Sequence, residues 1–429
     1  MLASVETWLE RNGLNKEFEV AVVGGGVCGS FSALTAARFG AKVVVCEEHR
    51  EIGVPQHCAG LLSISGLKRI GLSVPKKIIE NEFTGAVFYS PSGKEFEIGR
   101  PSPVAYVLNR ALLDKHLADV AEKSGVKLLL GSRAESFVID SNFVRGVIVN
   151  KEGTRQTLAT DLVIDAEGCS STLLKKAGLQ TLDRSMVVQA VQAEVDRVKE
   201  VDMNKVEVYL GRRYAPGFFA WIIPRRDGSA KVGLAIQNGD PREYLNRFMN
   251  AHPVASEKLG KSKITAVSFH PIPLGGGTSK TYWNGLLVVG DAASQVKPTT
   301  GGGVILGALC SKIAGEVAHD ALEGNNFSEK FLSRYQSRWR KLIAFDLAAM
   351  RQVRKMLNRL RDDKIDTIIE LCSNLGMDRV LEEIGDLDFQ GKTLLRIIPY
   401  PRALMIVLYS ILSSLSPLDT VKQASTAKK

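Results

Sequence analysis

Short apolar runs separated by glycine set the rhythm of the first fifty residues. Phe18 to Val23, FEVAVV, stops at Gly24-Gly25-Gly26-Val27-Cys28-Gly29. A valine-rich run of this length, without alternation, predicts a strand buried on both faces. Small residues and helix formers from Ser30 to Phe39 predict a helix that Gly40 ends. Lys42 to Cys46, KVVVC, predicts a second strand running into Glu47. Strand, helix and strand within about 30 residues predict a βαβ unit with parallel strands.

The pattern then changes. Glu48 to Pro75 carries Gly53, Pro55, Gly60, Gly66 and Gly71 and predicts a loop-rich stretch. Phe83 to Ile98 predicts a hairpin turning at Ser90-Pro91-Ser92-Gly93, and Asn109 to Lys123 a helix. Strands are predicted at Leu128–Leu130, Ala134–Ile139 and Val144–Val149, and a buried one at Asp161–Ile164 leading into Asp165–Gly168. Alternation in VVQAVQAEV, KVEVYL, FFAWIIP and AKVGLAI, between Ser185 and Ile236, predicts a sheet. GLLVVG, Gly285 to Gly290, predicts a last parallel strand, followed by Asp291, a loop and a small-residue helix from Gly301 to His319. The remaining third is helical. Phe331, Tyr335, Trp339, Leu342 and Ala349 recur at helical spacing, while Arg334, Arg338, Arg340, Lys341, Arg351, Arg354 and Lys355 form an opposite face expected to be solvated.

Composition adds bounds. With 429 residues, 45% apolar and 24% charged, the chain can bury a sizeable core in two or three units. A net charge of +10 favours anionic partners, but no nucleic-acid motif accompanies it, which leaves pyrophosphate or phospholipid. Cys28, Cys46, Cys58, Cys169, Cys310 and Cys372 include no C-x-x-C pair, so no metal site is expected and the thiols suit a reducing compartment; whether one pair bridges is open. Met1 to Glu17 lacks the apolar core of a leader. Ala403 to Leu415, ALMIVLYSILSSL, is too short to span a bilayer but long enough to lie on one.

Chemistry concentrates at the first turn. In Gly24-x-Gly26-x-x-Gly29, Gly24 permits a tight turn, Gly26 lets the backbone approach a pyrophosphate, and Gly29 lets the helix pack on the strand. The helix N-terminus offers unpaired N–H groups to phosphate. Glu47, 18 residues after Gly29, can bind both ribose hydroxyls and repels a 2′-phosphate. Late in the chain Gly290-Asp291 ends a buried strand, where an acid can hold a ribityl hydroxyl. Pro298-x-x-Gly301-Gly302-Gly303 then opens a helix whose dipole favours the anionic edge of reduced flavin. Together these select FAD.

GGGVCG, Glu47, LNRALLDKHLADVA, DAEGCSS and GDAASQVKPTTGGGV, in that order, resemble the para-hydroxybenzoate hydroxylase-like flavoproteins, and among these the geranylgeranyl reductase family. The resemblance covers roughly Glu19 to Asp320. It implies an α/β fold with α+β character: a discontinuous Rossmann-type FAD-binding domain (1–75, 100–180, 285–330), an inserted antiparallel-sheet substrate domain (76–99, 181–284) and a helical C-terminal region (331–429). Val54-Pro55-Gln56-His57-Cys58-Ala59-Gly60-Leu61 resembles the family's cysteine loop beside the flavin, with Cys-Ala-Gly where many members have Cys-Gly. Pro216 to Pro224 resembles its substrate-cavity motif, with Phe219 where a tyrosine is usual.

The resemblance implies cofactor contacts from Gly24, Gly26, Val27, Cys28, Gly29, Glu47, Glu48, Cys58, Ala59, Gly60, Arg110, Ala134, Asp165, Gly168, Gly290, Asp291, Pro298 and Gly301–Gly303. It implies substrate contacts from His57, Phe219, Trp221 and Pro224, with Cys58 as the catalytic residue. His116, His252, His270 and His319 lack ligand spacing and are expected to be structural or exposed. The implied activity is reduction of isoprenoid double bonds in a prenyl lipid or diphosphate, by a cytoplasmic protein in peripheral contact with the inner membrane face. NAD(P)H, a deazaflavin or ferredoxin could each reduce the flavin. An aromatic monooxygenase or halogenase on the same scaffold, or an electron-transfer flavoprotein serving a quinone, are the alternatives.

Overall fold

The computed structural model describes residue 13 and residues 15–415. Most of Met1–Glu17 and the tail after Pro417 lie outside them. A six-stranded sheet runs in the order Tyr282–Trp283, Leu286–Val288, Leu162–Asp165, Val20–Val23, Val43–Cys46, Lys127–Leu129, all parallel except the first. Val20 and Val22, with Val43, Val45, Leu162 and Ile164, pack against the helices Val27–Arg38 and Val304–Glu323. Ala21 and Val23, with Val44, Cys46 and Val163, pack against a three-stranded antiparallel sheet of Ser132–Asp140, Phe143–Lys151 and Thr154–Ala159. Both faces are covered, which is why these strands read as unbroken apolar runs. Register brings Val23 level with Cys46 and Asp165, and Asp165 level with Val288. The first glycine turn, Glu47 and Asp291 therefore emerge together at the carboxyl edge, where open parallel sheets bind ligands.

The two helices touch through glycine. A Cβ at Gly307 would lie 2.6 Å from the Cys28 sulfur, and one at Gly315 would lie 2.6 Å from Thr35 Cβ. Neither helix could approach the other so closely with a larger residue there.

A seven-stranded sheet faces that edge, in the order Lys263–Pro273, Val187–Asp196, Ala230–Ile236, Ala220–Pro224, Lys205–Tyr209, Gly85–Tyr89, Glu95–Gly99. One face packs on the helix Pro241–Ala251, whose first turn Asp240 caps. The other face looks into the interior of the molecule. Lys263–Pro273, unread in the sequence, pairs with Val187–Asp196 along most of its length. Its outer half is exposed, so it lacks the apolar alternation that marks the other strands.

Two local readings need correction. The stretch expected to be loop contains a strand, Leu61–Ser63, and a helix, Ile64–Ile70. Seven residues give too little periodicity to read; the start is fixed by the Ser63 hydroxyl accepting from Gly66 N. On the long helix Glu329–Leu357, Arg354 is not on a solvated face. It is buried, donating through Nε to Pro298 O at 3.0 Å and through Nη2 to Thr299 O. Burial lowers its guanidinium to about 10.

Candidate active site

Between the two large sheets lies a cavity of about 1500 Å³. A single small-ligand pocket is roughly 300–1,000 Å³, so this space has room for more than one such ligand. Its first end is the glycine turn. Gly24 has φ +95° and a Cβ there would lie 2.6 Å from Ala166 O; a Cβ at Gly29 would lie 1.8 Å from Gly24 O. Gly26 differs, because a Cβ there meets no protein atom within 4 Å and would project into open cavity. That is a cradle kept clear for a ligand. Glu47 accepts from Gly25 N (2.7 Å) and from His49 N (2.9 Å), which fixes its carboxylate beside the turn.

The helices Val27–Arg38 and Val304–Glu323 both begin at this cavity. Each starts at a glycine, Gly26 and Gly303, with no side-chain cap and no acid in its first turn. Orphan N–H groups at both ends suit an anion at each. The residues thus fit FAD, whose diphosphate would lie at the first terminus, its ribose at Glu47, its ribityl arm at Asp291 and its anionic flavin edge at Gly301–Gly303.

Cys58 is clamped. Gly60 N donates to its sulfur at 3.4 Å, Leu108 N donates to Gly60 O at 2.9 Å, and the fully buried Lys231 donates to Ala59 O at 3.2 Å. Lys231 also pairs with Glu80 at 2.7 Å. Arg110 starts its helix beside this loop and pairs with Asp114 at 3.0 Å. Although burial works the other way, Asp114 and the neighbouring Cys58 hold the Arg110 guanidinium above its usual range.

Across the cavity stands an aromatic wall. Phe219 stacks on Phe218 (centroids 4.2 Å apart) and meets Trp221 edge-on at 6.0 Å. Gly233, opposite Trp221 on the next strand, makes room for the indole. The indole Nε1 is buried without a hydrogen-bond partner. Phe88, Ile98, Val208, Ile223 and Ile272 complete an apolar chamber.

Residues 17–323 match the model of the FAD binding domain. The chain is 38% identical over 359 residues to digeranylgeranylglycerophospholipid reductase 2 of Methanothermobacter thermautotrophicus, covering 82% of this chain and 91% of the relative. It is 34% identical to the digeranylgeranylglycerophospholipid reductase of Methanocaldococcus jannaschii, covering 83% and 91%. The chain belongs to the digeranylgeranylglycerophospholipid reductase family. A crystal structure of a geranylgeranyl bacteriochlorophyll reductase-like protein from Thermoplasma acidophilum superimposes with a TM-score of 0.81 at 27% identity, covering 92% of this chain and 99% of that one. The chain is thus an FAD-dependent oxidoreductase.

Most residues expected in the site line the cavity of this family member, including Val27, Cys28, Glu48, His57, Cys58, Ala134, Gly168 and Asp291. Four do not. Asp165 is fully buried, and its Oδ1 accepts from Glu167 N at 3.0 Å to shape the turn behind the glycines. Gly290 (φ +65°) leaves room for the Cys28 sulfur. Pro298 presents its carbonyl to Arg354, and Pro224 presents its carbonyl to Asn81. All four act from behind the wall. Cys28 itself is a packing residue as much as a lining one, and burial, then the charge of Asp291, pushes its thiol up to about 12.

One lining residue, His270, and one buried neighbour behind the wall, Cys169, were missed. His270, expected to be structural or exposed, stacks on His57 with centroids 5.4 Å apart, and its Nε2 lies 3.9 Å from Asp291 Oδ2. Cys169 donates to Pro271 O at 3.2 Å and lies 3.5 Å from the same Asp291 oxygen. Burial, then Asp291, raises the Cys169 thiol well above its ordinary value, so it stays protonated. Burial, then the nearby His270 and His49, lowers His57 and keeps it neutral. The period-two spacing Ser268, His270, Ile272 was the available signal, since all three face the cavity. All six cysteines are free thiols.

Proposed function

We propose that this chain saturates isoprenoid double bonds of a prenyl lipid, digeranylgeranylglycerophospholipid or geranylgeranyl diphosphate, at the inner face of the cytoplasmic membrane. The observation that carries this reading is the continuity of the cavity: the dinucleotide cradle, Cys58 and the chamber walled by Phe219 and Trp221 are one space. A long apolar chain is the ligand such a chamber suits.

Bound FAD, once reduced by NAD(P)H, a deazaflavin or ferredoxin, supplies the hydride equivalent for one alkene carbon. Cys58 delivers its thiol proton to the other carbon, so the π bond is replaced by two C–H bonds and the thiolate is reprotonated from solvent. Arg110 beside the sulfur stabilises the transient thiolate. His57 stays uncharged against the apolar chain. Phe219 and Trp221 exclude water and hold the isoprene units in register with the sulfur.

The test is anaerobic turnover of digeranylgeranylglycerophospholipid with chemically reduced protein, read by mass spectrometry. The expected product carries added hydrogen pairs. Cys58→Ala should keep the flavin spectrum and lose on the order of 10²-fold or more in rate, the usual scale of a positioned proton donor. NAD(P)H oxidation coupled to oxygen uptake, with the lipid unchanged, overturns the reading in favour of a monooxygenase.

A further inference from the structure

The last described helix, Pro401–Leu415, is built inside out. Leu404, Met405, Leu408, Ile411, Leu412 and Leu415 recur at helical spacing, each 42–68% exposed. The inward face carries Ala403, Ile406 and three serines, Ser410, Ser413 and Ser414. Ser410 and Ser414 satisfy themselves by donating to Ile406 O and Ile411 O, both at 2.7 Å. A helix that serves only a protein core has the opposite arrangement. The preceding helix, Gln390–Ile397, and its C-cap Ile398 continue the pattern, with Leu395 and Ile398 more than half exposed, and the two helices meet at a bend of 114°. Among the described residues no single helix is long and apolar enough to cross a membrane. At 15 residues the last helix is about 22 Å long, short of the roughly 30 Å hydrocarbon core.

Charge selects the occupant of this face. From Gln390 to Leu415 there is no Asp or Glu, while Lys392, Arg396 and Arg402 are present and exposed. A second copy of the chain would bring like charges together; an anionic bilayer complements them. Position does the rest. The strap Gly385–Asp388, immediately before these helices, is tied to residues that line the cavity. Arg100 donates to Gly385 O (2.6 Å), Arg69 pairs with Asp386 (2.8 Å), and Ser63 and Lys297 hold Asp388 (2.5 and 3.1 Å). Leu387 both lines the cavity and stands 43% exposed, and Gln390 and Thr393 of the next helix also line it.

We propose that the bent helix pair is a docking surface for an anionic phospholipid bilayer, and that the cavity mouth at the Gly385–Asp388 strap admits the prenyl chain of a lipid still resident in that bilayer. This rests on the prenyl-lipid reading above and adds where the substrate enters and from what phase. The lipid tail then passes from hydrocarbon to the aromatic chamber without crossing water.

The test uses the full chain loaded with FAD and vesicles of phosphatidylcholine alone or mixed with phosphatidylglycerol. Expected is flotation with the anionic vesicles, weakened by salt, and loss on the order of a hundredfold in a Leu408→Glu/Leu412→Glu double variant. That variant should also lose turnover of vesicle-embedded substrate and keep turnover of detergent-dispersed substrate, since neither leucine lines the cavity. An intact wild-type chain that floats with neither vesicle overturns the proposal. So does a wild-type dimer that the double variant converts to monomer, which would make the face a self-association surface. Stripe-dependent flotation by a protein that reduces neither form of the substrate upholds the docking and removes the reductase reading.

Discussion

Of the four glycines from Gly24 to Gly29, Gly24, Gly26 and Gly29 are required for three different reasons, and substitution separates them. A side chain at Gly29 collides with the backbone of Gly24, whereas one at Gly26 meets only cavity. Gly29→Ala should cost the apoprotein ~2 kcal/mol or more. Gly26→Val should leave the apoprotein melting within about 2 °C of wild type and abolish the flavin spectrum. Melting curves without FAD, together with visible absorbance after FAD addition, check both. Lys231 makes a similar point for buried charge. Lys231→Met leaves Glu80 with Asn109 Nδ2 at 3.4 Å and Arg225 at 3.8 Å and frees Ala59 O, so urea unfolding should show a loss of ~1–3 kcal/mol, and adding Glu80→Gln should recover part of it. The glycines, Glu47 and Asp291 were legible because the residues that define their roles are sequence neighbours at fixed spacing. Lys231, His270 and Cys169 were not, because their partners lie on other elements and loops elsewhere in the chain.

At the scale of elements, periodicity served well where one face meets water and the other a core. It failed where an element meets something else. Arg354 sits on the basic side of a long amphipathic helix, yet the loop Pro298–Thr299 closes over it, and no pattern within the helix could foretell that. His252, the C-cap of Pro241–Ala251, was expected to be structural or exposed, and it is buried and structural. Its Nδ1 accepts from Val254 N and Ala255 N, and its Nε2 donates to Ser90 O at 3.1 Å. Burial lowers it from 6.5 to about 4. The unfolded chain therefore binds the extra proton between those values. The stabilisation is fully present above about pH 6.5 and is lost as pH falls towards 4, by about 3 kcal/mol in all. Denaturant unfolding at pH 7.5 and 4.5 should show that slope, and His252→Asn should flatten it.

At the scale of the molecule, two sheets of different origin supply opposite walls of one cavity. The parallel sheet was legible as a class from its unbroken valine runs. That the hairpin Gly85–Gly99 joins the seven-stranded sheet through Lys205–Tyr209, in parallel, depends on a pairing across more than a hundred residues that neither segment encodes alone. The helical region does not simply cover the core. It buries Arg354 under the loop Pro298–Thr299 and lends Leu387, Gln390 and Thr393 to the cavity wall.

The glycine contact between Val27–Arg38 and Val304–Glu323 carries a consequence for biogenesis. The helix ends that cradle the cofactor come from segments about 280 residues apart, so the pocket stays incomplete on the ribosome until most of the polypeptide has emerged. Flavin capture is therefore a late step in the life of each molecule, and a chain interrupted before Gly290 carries half a cradle and no colour.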